Sequence, residues 1–227
     1  MKSKIITIEG TDCSGKETQS KLLYDKLLSD GIDVYRTSFP MYDTPTGKIV
    51  GGPYLGKENL GEPLFEEGAS NVDYKVAALY FAADRRYNYL NILKKELDAG
   101  KILILDRYIE SNMAHQAGKL KDAKKRYEAY EFLHQLEYRL LELPRPDMTL
   151  FLYMPLEYSI MLRNNRAEKP DQHEMDTNHL KNAERAYLEL ENLYNFERIN
   201  CVNNGIIRTP EEISEEVYSK AKKLIRK

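Results

Sequence analysis

At 227 residues the chain is long enough to bury one sizeable core, and no stretch reads as a linker, so a single domain over 1–227 is expected. Hydrophobic residues at 42% against 31% charged exclude a disordered or membrane-spanning chain. A net charge of −2 leaves no basic excess for binding nucleic acid through its phosphates, so any phosphate is bound locally.

The N-terminus passes from Met1-Lys2-Ser3-Lys4 into the short apolar run IITI, too brief for a signal peptide and without a cleavage site, and the expected location is cytoplasmic. A first strand is predicted at Lys4–Glu9 and a first helix at Lys16–Asp30, ended by Gly31. Between them lies GTDCSGKET, Gly10 to Thr18, which satisfies G-x-x-x-x-G-K in the strand-to-helix setting that the motif requires. Its glycines let backbone N–H groups converge on phosphate oxygens, the helix N-terminus adds partial positive charge, and Lys16 reaches the terminal phosphates. Gly10, Thr11, Asp12, Cys13, Ser14, Gly15, Lys16, Glu17 and Thr18 are therefore the candidate ATP-binding residues. One position departs from the motif: Glu17 stands where a hydroxyl normally ligates magnesium. Either waters complete the ion's shell or Thr18 supplies a shifted oxygen.

Cys13 and Cys201 are sparse in a chain of this size and read as reduced thiols in a reducing compartment. A second strand is predicted at Asp33–Ser38, followed by an irregular, Gly- and Pro-rich stretch from Pro40 to Ser70 of the kind that forms binding loops. A long helix at Val72–Ala99, ended by Gly100, leads to a buried strand at Ile102–Leu105. Asp106 and Arg107 then stand at a strand's carboxyl end, where α/β sheets bind ligands. Asp106 suits orientation of Mg²⁺ and Arg107 suits bidentate phosphate binding. The remaining elements are helices at Asp122–Leu143, Leu156–Arg166, Asp176–Asn195 and Glu211–Ile225, with strands at Met148–Tyr153 and Glu197–Val202. This alternation predicts an α/β fold with a five-stranded parallel sheet flanked by helices on both faces, and a lid at about 163–179. The four histidines show no metal-ligand spacing, which argues against structural zinc. Tyr80, Tyr87, Tyr127, Tyr130 and Tyr138 fall at helical spacing and read as core or interface.

Five segments, IEGTDCSGKETQ, FP at Phe39-Pro40, LYFAADRR, DRYIESNMAHQ and RNNRAEKPDQHE with ERAYLEL, occur in the order and spacing of the thymidylate kinase family, which the chain resembles over nearly its whole length. The resemblance implies ATP-dependent phosphorylation of dTMP to dTDP with Mg²⁺, in a homodimer. It places Asp12 near the transferring phosphoryl group, Phe81 on the thymine ring and Arg85 on an exocyclic oxygen of the base. Phe39 and Pro40 would wall the acceptor pocket, Arg107 would grip the acceptor phosphate, and Ser111, Asn112 and Gln116 would approach the base edge. Phe81 and Arg85 are four apart on a predicted helix and so share a face.

Two positions depart from many relatives: Tyr42 stands where an arginine assists the acceptor phosphate, and His115 where an aromatic helps exclude a ribose 2′-hydroxyl. Cys13 occupies the loop position where one branch carries a catalytic arginine, so that charge is expected from Arg163 and Arg166, which resemble lid arginines of the other branch. Asp171 and Glu174 match a D-x-x-E pattern that could order the lid. Two alternatives stay open at this point, a deoxynucleoside kinase and a nucleotide-binding protein without transfer activity, the latter motivated by Glu17 alone.

Overall fold

The computed structural model describes residues 3–164 and 172–226. Five parallel strands, β1 (Ile5–Gly10), β2 (Val34–Ser38), β3 (Ile102–Asp106), β4 (Met148–Tyr153) and β5 (Glu197–Asn200), form a sheet in the order β2-β3-β1-β4-β5. β1 lies at the centre, paired with β3 on one side and β4 on the other. The predicted α/β class and all five strands are present.

The alternation of side chains along each strand sorts the core into two layers. Leu103, Leu105 and Phe151 face one buried cluster, whereas Ile102, Ile104, Leu150 and Leu152 face the other. The second layer is closed by α1 (Lys16–Ser29) through Leu23 and Leu27, and by α10 (Pro210–Ile225) through Ile213, Val217 and Ala221. Burying each of these Leu, Ile and Val side chains contributes about 1.5–3 kcal/mol. α10 starts at Pro210 itself, behind a capping box in which Thr209 and Glu212 satisfy each other's backbone N–H groups.

Several elements differ from expectation for local reasons. The segment 40–70 is not wholly irregular: α2 (Pro45–Ile49), capped by Thr44, continues into a wider π-type turn at Val50–Tyr54, over a small cluster of Val50, Tyr54, Leu55, Ala69, Val72 and Ala77. The helix predicted from Val72 begins at Tyr74, because the Asp73 carboxylate accepts from the N–H groups of Lys75 and Val76. α3 (Tyr74–Asn88) and α4 (Lys94–Asp98) are joined by a π-type stretch at Tyr89–Leu93.

After β3 the chain forms an unpredicted short helix, α5 (Ile109–Asn112), continued by π-type turns to Ala117. α6 (Ala123–His134) widens over Gln135–Leu140 and ends before Glu142, which has a φ of 49°. α7 (Leu156–Asn164) and α9 (Thr177–Tyr194) run into the two ends of the predicted lid at 163–179, a short helix α8 (Gln172–Met175) lies inside it, and 165–171 lie outside the described residues.

The last predicted strand is interrupted at Cys201. β6 (Val202–Asn203) and β7 (Ile206–Ile207) instead make a hairpin around Asn204-Gly205, with φ of 49° and 77°. Asn-Gly is the standard signal for such a turn. No helix among the described residues is long and apolar enough to cross a membrane.

Candidate active site

β1 ends at Gly10, whose φ is 157° and where a Cβ would lie 2.6 Å from the Leu152 carbonyl oxygen and 2.6 Å from Ser14 Oγ. Only glycine lets the chain turn here between β4 and the loop. The loop is tied down at two points. Thr11 Oγ1 donates to the Met154 carbonyl at 3.0 Å, and Ser159 Oγ donates to the Asp12 carbonyl at 2.6 Å. Gly15, left-handed at φ 85°, opens α1. Lys16 is buried, its Nζ donating to the Thr11 carbonyl at 2.7 Å. Burial first, then the nearby Arg107 charge, lowers its pKa from the usual ammonium value. Ser14 Oγ is buried and has no hydrogen-bond partner among the described residues, as a group awaiting a phosphate oxygen would be. Glu17 and Thr18 are both exposed in the first turn of α1.

Beside the loop, β3 delivers Asp106 and Arg107. Burial raises the Asp106 carboxyl, against the charges of Lys16, Arg107 and Arg36. Arg107 has a φ of 66°, a left-handed conformation unusual for an arginine, and its Nη2 donates to Asp12 Oδ1. Although burial works the other way, the Arg107 and Lys16 charges hold Asp12 well below the usual carboxylate range. Behind this pair, the fully buried Glu9 accepts from Tyr108 N–H at 2.6 Å, Ser111 Oγ at 2.5 Å and Tyr187 Oη at 3.1 Å. Glu9 thus fixes the turn that presents Arg107.

A cavity of about 220 Å³ opens from the Asp12–Arg107 pair. Phe39 and the cis-linked Pro40 form one wall, and Phe81 and Arg85 of α3 form another. Ser111, Asn112, His115 and Gln116 close its end. The structure therefore gathers every acceptor-site candidate into one pocket with the phosphate loop's Asp12.

Arg85 does not enter it freely, for Glu137 of the widened α6 accepts from both its Nε and, at 2.6 Å, its Nη2. Both partners are buried, at 2% and 0% exposure, so the guanidinium is held rigidly by a residue that sequence reading missed. Asn112 Nδ2 donates to the same Glu137 at 2.8 Å. Asn112 Oδ1 and both polar atoms of the Gln116 amide are buried without hydrogen-bond partners among the described residues.

The pocket also includes residues that motif reading did not supply. Lys57 lies over the Tyr42 ring at 5.2 Å, and both line the cavity. A cation thus stands next to the position where the sequence lacked an arginine. Asp84 accepts from Met41 N–H at 3.0 Å and Thr46 Oγ1 at 2.9 Å, which holds the Phe39-Pro40 turn against α3. His173 lines the pocket as well and comes within 4.8 Å of His115 and His179, a grouping invisible in their spacing.

Two of the tyrosines assigned to core or interface, Tyr130 and Tyr138, are buried, while Tyr87 and Tyr127 are exposed. Arg163 sits in the last turn of α7 and does not line the cavity. Arg166 and Asp171 lie outside the described residues.

The sequence profile of the family described as Thymidylate kinase matches residues 8–213. A probable thymidylate kinase of Thermococcus kodakarensis is 31% identical over 220 residues, covering 93% of this chain and 98% of its own length. A thymidylate kinase of Halothermothrix orenii is 29% identical, covering 98% of each chain. The solved thymidylate kinase of Candida albicans superimposes with a TM-score of 0.70 at 25% identity, over 98% of this chain and 93% of that one.

Proposed function

This chain belongs to the thymidylate kinase family, and on that premise we propose how its own residues phosphorylate dTMP to dTDP with ATP as donor. It is a nucleoside monophosphate kinase. The reading of the site is carried by one observation: the pocket lined by the Asp12–Arg107 pair is lined as well by Asn112 and Gln116, whose buried amide atoms Asn112 Oδ1, Gln116 Oε1 and Gln116 Nε2 have no hydrogen-bond partner among the described residues. An acceptor oxygen and an N–H donor presented together complement the N3–H and carbonyl groups of a pyrimidine edge. Phe81 offers a ring face. Arg85, with Glu137 occupying its Nε and Nη2, directs its remaining nitrogen to the base.

Phosphoryl transfer demands positioning and charge rather than covalent chemistry. Arg107 holds the acceptor phosphate while Asp12 orients its guanidinium from the loop. Lys16 leaves the Thr11 carbonyl for the β- and γ-phosphates, and Ser14 Oγ and the loop N–H groups take the other oxygens. Asp106 fits Mg²⁺, being a buried carboxylate oxygen donor beside Lys16, of the hard kind this ion prefers. Thr18 is the second candidate oxygen. Bound there, the ion would neutralise charge on the transferring group. Arg163, with Arg166, would add positive charge from the lid as it closes over the phosphates. The two thiols fit a cytoplasmic location.

A homodimer is supported by α3 and its extension, where Val76, Leu79, Ala83, Tyr87 and Leu90 form one exposed stripe at helical spacing.

The test is a panel of nucleoside monophosphates and thymidine with ATP and Mg²⁺, read for diphosphate formation. dTMP is expected to be the best acceptor. Preference for thymidine, or nucleotide binding without transfer to any monophosphate, would refute the reading.

A further inference from the structure

Three of the four histidines converge although 58 and 6 positions separate them in the chain, from His115 to His173 and on to His179. His115 comes from the helical turn after β3, His173 from α8 and His179 from the first turn of α9, and all three are buried. One ring nitrogen of each lies within 4.8 Å of the other two. His115 Nδ1 and His179 Nε2 are 3.1 Å apart.

Ring centroids are separated by 4.2 Å between His173 and His179, 5.3 Å between His115 and His179, and 5.9 Å between His115 and His173. Three imidazoles on one tetrahedral ion, with metal–nitrogen bonds of about 2.0–2.1 Å, place their nitrogens about 3.3 Å apart and their centroids about 5.2 Å apart. The hydrogen-bonded pair His115 Nδ1–His179 Nε2 already has that spacing, the widest pair needs to close by at most about 1.5 Å from its 4.8 Å limit, and the stacked His173 and His179 rings must part by about 1 Å and turn toward the ion.

The chemistry of the three rings suits a ligand set that closes on an ion. Burial, the largest influence on each ring, pushes all three well below the ordinary imidazole value, and the neutral ring is the form that ligates. Imidazole nitrogens favour zinc, nickel, cobalt or copper over Mg²⁺, so the cluster differs in kind from the Asp106 carboxylate. Three protein ligands leave one coordination position open.

We propose that His115, His173 and His179 form a three-imidazole site for a transition-metal dication of the zinc class, at the edge of the acceptor pocket that His115 and His173 line.

The experiment uses the full chain, stripped of metal by chelator and titrated with Zn²⁺ against a chromophoric competitor in excess Mg²⁺. One Zn²⁺ per chain is expected. His179→Gln and His173→Gln, each confirmed as folded by circular dichroism, are expected to weaken binding by about 100-fold or more, since even outer-sphere changes cost 10–100-fold. Wild-type protein loaded with Co²⁺ provides a reading that depends on no variant. The intense visible bands of a four- or five-coordinate ion, without thiolate charge transfer, support the site. Absence of stoichiometric Zn²⁺, unchanged affinity in both folded variants, a weak octahedral cobalt spectrum, or a thiolate band placing the ion on Cys13 would each overturn it.

Discussion

Arg107 concentrates several demands in one residue: a left-handed backbone at φ 66°, an ion pair to Asp12, and a place in the wall of the acceptor pocket. On the proposed role, in which it supplies charge where the phosphoryl group moves, Arg107→Ala should lower kcat by about 100- to 1,000-fold with the unfolding midpoint little changed. Lys16→Ala should do the same. Steady-state kinetics beside thermal unfolding checks both.

Glu110 is a different kind of buried group. Burial, and then the negative charge of Glu9, raises its carboxyl from 4.5 to about 7, while Tyr138 Oη donates to it at 2.5 Å. The folded state therefore keeps a proton that the unfolded chain has already lost, and stability falls as pH rises from about 4.5 to about 7. Glu110→Gln keeps an acceptor for Tyr138 but removes the titration. Its stability relative to wild type should grow by up to about 3 kcal/mol between pH 5 and 8, measured from denaturant midpoints.

At the scale of elements, the phosphate loop contains two glycines that matter for different reasons. A methyl group at Gly10 would sit 2.6 Å from the Leu152 carbonyl oxygen, part of the neighbouring strand, whereas at Gly15 it would meet nothing within 4 Å. Gly15→Ala bears only the strain of φ 85°, about 1 kcal/mol. Gly10→Ala must push the loop away from β4, and should abolish ATP binding where Gly15→Ala merely weakens it. Isothermal titration with ATP separates the two. Both glycines were legible from the motif, but the reason for their inequality was not, because Leu152 lies 142 positions away from Gly10 in the chain. The π-type widenings were equally hidden. That at Gln135–Leu140 sets Glu137 against Arg85 across 52 positions, a pairing decided by how α6 packs on α3.

For the whole molecule, the exposed stripe on α3 and its extension is where the proposed homodimer is tested. Leu79 and Leu90 are each 52% exposed. Light scattering should give about twice the 26.4 kDa chain mass for the wild type. Leu79→Glu should yield monomer, since a carboxylate at a closely packed apolar contact is left unpaired and desolvated.

The sequence by itself determined what depends on short-range pattern. Strand-to-helix alternation implied the parallel sheet that the structure has; the spacing of Gly10, Gly15 and Lys16 underlies the proposed phosphate site, and Phe81 and Arg85, four apart on one helix, both line the pocket. Only the tertiary structure decided which distant groups answer one another: Glu137 behind Arg85, Glu9 behind the Arg107 turn, Lys57 beside Tyr42, and the three histidines at the pocket's edge. Local pattern records which face of an element is buried. Partnership across the core is set by how the elements close on one another, and neither Glu137 nor His179 carries a mark in its neighbours of the residue it will meet.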